Sequence, residues 1–143
     1  YGFARALMLA GVSESMEVLL PAYNCPAMVA PIRWLGAEPR FYRVHTDLRI
    51  DLEDLTLRIG PRTRSIVAVH YFGFLQDLTA LRRLCDEREL VLVEDCAHAF
   101  YGVADGTPVG TVGDFAFGSL MKFFPTYDGG CLVSAFSSPP SAA

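Results

Sequence analysis

The chain contains a single lysine, Lys122, beside eleven arginines. It lies in an apolar stretch, between Met121 and two phenylalanines. A surface charge could be either basic residue, whereas an amine that loses its proton and attacks a carbonyl cannot be an arginine, because the guanidinium stays charged. The residue type therefore indicates a nucleophilic amine at Lys122. The alternative is that an arginine-rich composition left one lysine by chance.

Three further polar residues follow apolar runs and could serve the same site. Asp95 comes after "LVLV" and Glu94, His98 lies three residues further on, and Ser119 follows "DFAFG". An aspartate there could cap a turn, or it could keep a heterocyclic nitrogen protonated, as pyridoxal phosphate requires of its electron-sink ring. His98 could contact the same ring or be an ordinary satisfied polar group. Ser119 could bind a phosphate oxygen or cap a turn.

Apolar runs rich in β-branched residues alternate with helical patterns along the chain, which predicts an α/β domain with a mostly parallel sheet. In such sheets ligands bind at the carboxyl ends of the strands, where His70, Glu94 and the candidate residues gather. A short hairpin is predicted around Asp105–Gly106. The predicted strands are 16–22, 38–44, 64–73, 90–100, 114–120 and 131–136, and the predicted helices are 4–12, 27–36, 51–59 and 77–89.

Composition narrows the class of protein. The 143 residues are 52% hydrophobic and carry a net charge of −4, which fits one folded domain at most and gives no basic surface for nucleic acid. No apolar run approaches the ~20 residues of a membrane helix. The four dispersed cysteines indicate reduced thiols, and hence a cytoplasmic protein. We expect residues 1–136 to be part of a larger domain and residues 137–143 to be a low-complexity tail.

Several motifs occur together and in order. They are "VLLPAYNC", "WLGAEPRFYRV", "PRTRSIVAVHYFG", "VLVEDCAHAF", "VGTVGDFAFGS", Lys122 and "DGGCLVS". This set, which spans residues 1 to about 135, resembles the DegT/StrS-type aminotransferases, the fold-type-I pyridoxal-phosphate enzymes that aminate keto-sugars. The resemblance implies a three-layer fold, with a mostly parallel sheet and helices on both faces, of which this chain is a part of the large domain.

The resemblance also implies a role for each candidate residue. Lys122 would carry the cofactor covalently and move a proton during transfer, and Asp95 would pair with the pyridine nitrogen. His98 would lie against the cofactor ring, and Ser119 would contact the phosphate. The aromatic residue that stacks on the other face of the ring falls at Cys25, and the nearest aromatic side chain in this sequence is Tyr23. No metal site is expected.

The implied reaction is amino transfer from glutamate or glutamine to a keto-sugar, in a nucleotide-sugar or secondary-metabolite pathway. The resemblance implies a homodimer for the full-length protein and no activity for this piece alone. Two alternatives stay open: a truncated or degenerate homologue acting as a binding or regulatory module, and a pyridoxal-phosphate-dependent sugar dehydratase, whose branch is expected to replace the lysine. A generic flavodoxin-like domain would explain the alternation of strands and helices but not the ordered motifs.

Overall fold

A computed structural model describes residues 1–104 and 106–135. Strands and helices alternate along most of the chain, as the sequence predicts. In chain order the elements are α1 (Gly2–Leu9), β1 (Glu17–Pro21), α2 (Pro26–Trp34), β2 (Glu38–Tyr42), α3 (Leu52–Arg58), β3 (Thr63–Val69), α4 (Thr79–Glu87), β4 (Val91–Asp95), β5 (Val103–Ala104), β6 (Thr107–Pro108), β7 (Phe115–Ser119) and β8 (Gly130–Ser134). Short 3-10 turns follow β3 at Tyr71–Gly73 and β7 at Leu120–Lys122.

The main sheet has the strand order β2-β1-β3-β4-β7-β8. All neighbouring pairs are parallel except β7 and β8, which are antiparallel. Val69, the last residue of β3, lies beside Asp95, the last residue of β4. The parallel strands therefore end at a common edge, and the predicted mostly parallel sheet is confirmed.

Helices cover both faces of this sheet. Successive strand side chains alternate between two buried clusters, so that Val67 packs in one and Ile66 in the other. Residues of α1 and α2 belong to the first cluster, and residues of α3 and α4 to the second. This is the three-layer arrangement implied by the resemblance. It also explains why the inner strands β1, β3 and β4 carry apolar runs, since neither of their faces meets water.

Local signals set most element boundaries. Asp51 caps α3 by accepting a hydrogen bond from the Asp54 N–H (2.9 Å), and Gly36, just beyond α2, adopts a left-handed φ of 74°. The strand predicted over 90–100 ends earlier, at Asp95, because the carboxylate of that residue accepts the Ala97 N–H (2.9 Å) and turns the chain.

The predicted hairpin is present as the antiparallel pair of β5 and β6, although Asp105 itself is outside the described residues. The proposed tail, 137–143, and the last residue of the strand predicted over 131–136 also lie outside them. Within the described part of the chain, no helix has the length and apolarity needed to cross a membrane.

Candidate active site

A cavity of about 460 Å³ opens at the carboxyl edge of the sheet, on the face covered by α1 and α2. Its volume is in the range of small-molecule sites, and its walls are mainly apolar. The lining includes five of the six residues singled out from the sequence, which are Tyr23, Cys25, Asp95, His98 and Lys122. Asp95, His98 and Lys122, which the sequence places after strands, therefore line one cavity together with Tyr23 and Cys25.

Asp95 is the buried anionic group of the cavity. The residue is only 6% exposed, and within the described part of the chain its carboxylate accepts one hydrogen bond, from the Ala97 N–H. Burial raises the pKa of Asp95, against the lowering effects of that hydrogen bond and of the positive charge of Lys122. A carboxylate in this state is stabilised by any cationic group that enters the cavity and reaches it.

Lys122 ends the 3-10 turn that follows β7 and lies on the exposed side of the cavity. Among the described residues it forms no ion pair, in contrast to most of the arginines in the chain. Lys122 and Asp95 line the same cavity, and the positive charge of Lys122 acts to lower the pKa of Asp95. This is the arrangement expected of a reactive amine and an anchoring acid.

His98 presents its ring to the cavity wall. The imidazole is stacked on the ring of Phe72, with ring centroids 5.3 Å apart and an angle of 16° between the planes. Within the described part of the protein, its Nδ1 atom is buried without a hydrogen-bond partner. A buried polar nitrogen with no partner is unfavourable, so a hydrogen-bonding group that reached it would stabilise it.

Tyr23 and Cys25 also line the cavity, from the connection between β1 and α2. Cys25 is the N-cap residue of α2 and is exposed, and Tyr23 is half exposed. The Tyr23 ring packs at 5.4 Å from the ring of Tyr71. Of the two candidates for the aromatic wall, only Tyr23 offers a ring.

Ser119 is the sequence-predicted residue that the cavity lining does not include. It is the last residue of β7, two positions beyond Phe117, which does line the cavity, and it pairs with Gly130 of β8. Side chains two apart on a strand share a face, so Ser119 lies on the cavity side of the sheet but beyond its margin. Its contact with a phosphate stays a prediction.

Sequence reasoning missed the aromatic residues Tyr71 and Phe72, which also line the cavity. The buried Tyr71 donates a hydrogen bond from its hydroxyl to the Tyr23 backbone oxygen (2.6 Å) and so ties the end of β3 to the loop before α2. The available signal was the "HYFG" stretch, in which two aromatic residues follow a buried strand and precede a glycine.

Behind Asp95, on the other face of the sheet, Glu94 is the centre of a buried hydrogen-bond network. Its Oε2 accepts from His70 Nε2 (2.9 Å) and from the Gly110 N–H (3.0 Å), and its Oε1 accepts from two further backbone N–H groups, at 112 and 113. Burial alone would raise the pKa of Glu94, but these hydrogen bonds outweigh it and lower that pKa. The carboxylate therefore fastens the loop that leads into β7.

The same network fixes the tautomer of His70. The Gln76 N–H donates to His70 Nδ1 (3.0 Å), so the ring proton must be on Nε2, where it is donated to Glu94. The donor atoms of His70, Glu94 and Cys96 lie within 4.8 Å of one another, a spacing compatible with a metal ion. A metal would need the Nε2 lone pair, which this tautomer does not offer. We therefore interpret the group as a hydrogen-bond network.

Replacing Glu94 by glutamine should destabilise the fold by about 3 kcal/mol, because one end of the amide would present N–H groups to other donors. Since the folded-state pKa of Glu94 is lowered, its contribution is complete above the ordinary glutamate pKa of about 4.3 and is lost as the pH falls through the folded value. Urea unfolding of the complete polypeptide, measured from neutral to acidic pH, checks both the size and the pH dependence.

The exposed Glu38, which forms a surface ion pair with Arg62 at 3.0 Å, provides the matched control for this prediction. The change from Glu38 to glutamine alters the same charge, and it should affect stability by less than about 1 kcal/mol. Equal effects of the two substitutions would contradict the central role of Glu94.

The donor set of the cavity suits a flat heteroaromatic ring that carries a protonated nitrogen and a carbonyl group. Asp95 supplies a buried carboxylate for the nitrogen, Lys122 supplies an amine for the carbonyl carbon, and His98 supplies a flat ring and an unpartnered nitrogen. Pyridoxal 5'-phosphate has these features.

Comparison with known proteins supports this interpretation. The chain is 36% identical over 132 residues to the GDP-perosamine synthase of Vibrio cholerae, and 39% identical over 136 residues to the dTDP-3-amino-3,4,6-trideoxy-alpha-D-glucose transaminase of Micromonospora megalomicea subsp. nigra; each match covers 90% of this chain and 36% of the relative. It also superimposes on the aminotransferase TlmJ from Streptoalloteichus hindustanus with a TM-score of 0.87 and 35% identity, over 94% of this chain and 38% of that one.

The chain thus spans a little over a third of the length of these relatives. The sequence model of one protein family, described as the DegT/DnrJ/EryC1/StrS aminotransferase family, matches residues 2–136. The match includes all six candidate site residues, and it confirms the resemblance seen in the ordered motifs. The chain belongs to the DegT/DnrJ/EryC1/StrS aminotransferase family.

Proposed function

We propose that the complete protein is a pyridoxal-phosphate-dependent aminotransferase that moves an amino group from glutamate or glutamine to a nucleotide-linked keto-sugar. The observation that carries this proposal is the convergence of Lys122, Asp95 and His98 on one cavity. Family membership supports the reaction type, and the names of the two relatives, which denote GDP- and dTDP-linked amino sugars, support the substrate class.

When bound, the cofactor supplies an electron sink that stabilises negative charge at the amino acid's Cα. Lys122 would hold it through its Nζ atom until the amino group of the donor takes the place of Nζ, and the released amine would then move a proton between that Cα and the cofactor's C4′ atom. Asp95 would keep the ring nitrogen protonated, because a cationic neighbour stabilises its buried carboxylate. His98 and Tyr23 would orient the ring, and Ser119 would contact the phosphate.

The cavity is open towards solvent along the side that carries Lys122, Phe72 and Tyr23, all of which are exposed. A second aromatic cluster, formed by Phe100, Tyr101, Phe123 and Phe124, lies close to the end of β7 and is also partly exposed. Exposed aromatic side chains that are grouped in this way are typical of an interaction surface. We propose that the rest of the polypeptide and the second subunit of a homodimer cover these side chains and enclose the site in the complete, cytoplasmic protein.

The test is amino transfer by the complete polypeptide, supplied with pyridoxal 5'-phosphate. Glutamate and glutamine are offered in turn as donors, with GDP- and dTDP-linked 4-keto- and 3-keto-sugars as acceptors. An amino sugar, detected by mass spectrometry together with an equal amount of the keto acid from the donor, is the expected result. Loss of the sugar hydroxyl without gain of nitrogen would instead identify a dehydratase. Cofactor uptake without any turnover would favour the non-catalytic module.

A further inference from the structure

Phe72 has a backbone conformation that bulky residues rarely adopt. Its φ of 53° and ψ of 26° are in the left-handed region, within the 3-10 turn that follows β3. The described residues Ser15, Leu48 and Glu89 are also left-handed without being glycine, but none of them lines the cavity. Strain of this kind persists only where the surrounding structure imposes it, and it is concentrated at functional sites.

Local stability does not account for Phe72. The residue is 58% exposed, so that its ring gains little from burial, and a glycine at this position would adopt the same conformation without strain. The next residue, Gly73, is left-handed as well, with a φ of 88°. Phe72 and Gly73 are the two central residues of a tight turn that is closed by the Tyr71 backbone oxygen, which accepts the Phe74 N–H (2.7 Å). The Tyr71 hydroxyl binds the Tyr23 backbone oxygen and so anchors the start of this turn. With Tyr71 fixed in this way, the Phe72 ring is directed over the cavity wall.

The strained conformation places the Phe72 ring in a stack on the His98 ring. The two rings are nearly parallel, at 16°, with centroids 5.3 Å apart, and such stacked pairs are mutually attractive. Among the described residues no hydrogen bond holds the Nδ1 atom of His98, whereas the stacked Phe72 ring restricts the plane of this imidazole. An imidazole whose plane is set in advance loses less freedom when a ligand ring is bound.

We propose that Phe72 is a positioning residue, which holds the His98 imidazole in the orientation required by the aromatic cofactor. This inference rests on the proposed function, because it concerns the ring that His98 would contact. It assigns a role to a residue that the sequence motifs do not single out, and it explains why an exposed phenylalanine is kept in a strained conformation.

The experiment titrates pyridoxal 5'-phosphate into the apo form of the complete polypeptide and measures its dissociation constant and the thermal unfolding midpoint. Phe72→Ala and Phe72→Gly should both raise the dissociation constant by about 3- to 10-fold, because both remove the stacked ring. Phe72→Tyr, which keeps the ring, should stay within about twofold of the wild type. The glycine variant should nevertheless unfold about 2 °C above the alanine variant, since it relieves the left-handed strain.

A double-mutant cycle tests whether Phe72 acts through His98. In a His98→Ala background, Phe72→Ala should cause no further loss of affinity. Glu89, left-handed and exposed beyond α4, is the matched control: Glu89→Gly should also unfold above Glu89→Ala, while both keep the wild-type dissociation constant.

Three results would overturn the inference. The first is a wild-type dissociation constant in the Phe72→Ala variant, and the second is a wild-type dissociation constant in Phe72→Gly while that of Phe72→Ala is raised. The third is that Phe72→Ala weakens binding in the His98→Ala background as much as it does in the wild type. The second would show that binding depends on the backbone rather than the ring. If the wild-type polypeptide takes up no cofactor, the proposed function fails and this inference fails with it. Normal uptake by the wild type with unchanged Phe72 variants overturns only the role of Phe72.

Discussion

Replacing Lys122 by arginine should abolish covalent attachment of the cofactor and lower amino transfer by roughly 10³-fold or more. The substitution keeps the positive charge and much of the side-chain length, so the electrostatic effect on Asp95 is largely preserved. What it removes is an amine that can lose its proton, because the guanidinium stays charged at any accessible pH. The measurement is borohydride reduction of the complete polypeptide with pyridoxal 5'-phosphate, followed by mass spectrometry of its peptides.

In the wild type the cofactor mass should be found on the peptide that contains Lys122, and in the Lys122→Arg variant on no peptide of this segment. A control adds a lysine elsewhere: Arg83, exposed on α4, can be changed to lysine in the Lys122→Arg background. The new amine lies outside the cavity and should remain unlabelled. Labelling of residue 83 would mean that any accessible lysine reacts, and would remove the special role assigned to Lys122.

Much of this fold is predictable from the sequence, because its signals are local. The alternation of apolar strands with helical patterns follows from the burial of both sheet faces, and caps such as Asp51 mark where helices begin. The gathering of Asp95, His98 and Lys122 was also predictable, since parallel strands present their carboxyl ends at one edge.

The different roles of the two neighbours, Glu94 as the anchor of a loop and Asp95 as part of the cavity, could not be predicted in the same way. The two residues are adjacent at the end of β4, so their side chains lie on opposite faces of the sheet. Because the preceding "LVLV" run is apolar on both faces, its pattern does not indicate which face has the cavity. That depends on the packing of α1 and α2, which long-range contacts decide.

Phe72 and Ser119 show two further limits. The left-handed conformation of Phe72 cannot be recognised from composition or periodicity. It depends on the hydrogen bonds of Tyr71 and not on a preference of phenylalanine. For Ser119 the strand-end position was predictable, but its distance from the cavity depends on how far β7 extends beside β8. Both properties arise from tertiary structure.

Replacing Asp95 by asparagine should leave the fold intact and the cofactor bound, yet lower turnover on the order of 10²-fold or more. The shape of the side chain is kept, and the amide oxygen can still accept the Ala97 N–H. The charge that would hold a proton on the cofactor's ring nitrogen is lost, and an unprotonated ring is a poorer electron sink. Steady-state rates, read together with cofactor affinity and the unfolding midpoint, separate these effects.

Because burial raises the pKa of Asp95, removal of its charge should cost the apoprotein no stability, and it should even stabilise the fold slightly at neutral pH. Asp86, exposed on α4 and paired with Arg82, is the matched control: Asp86→Asn should leave turnover unchanged. The distinguishing result is therefore a variant at position 95 that is as stable as the wild type but slow. If Asp95→Asn were instead unstable with a normal rate, Asp95 would only cap the turn after β4, and the pairing with the cofactor nitrogen would be wrong.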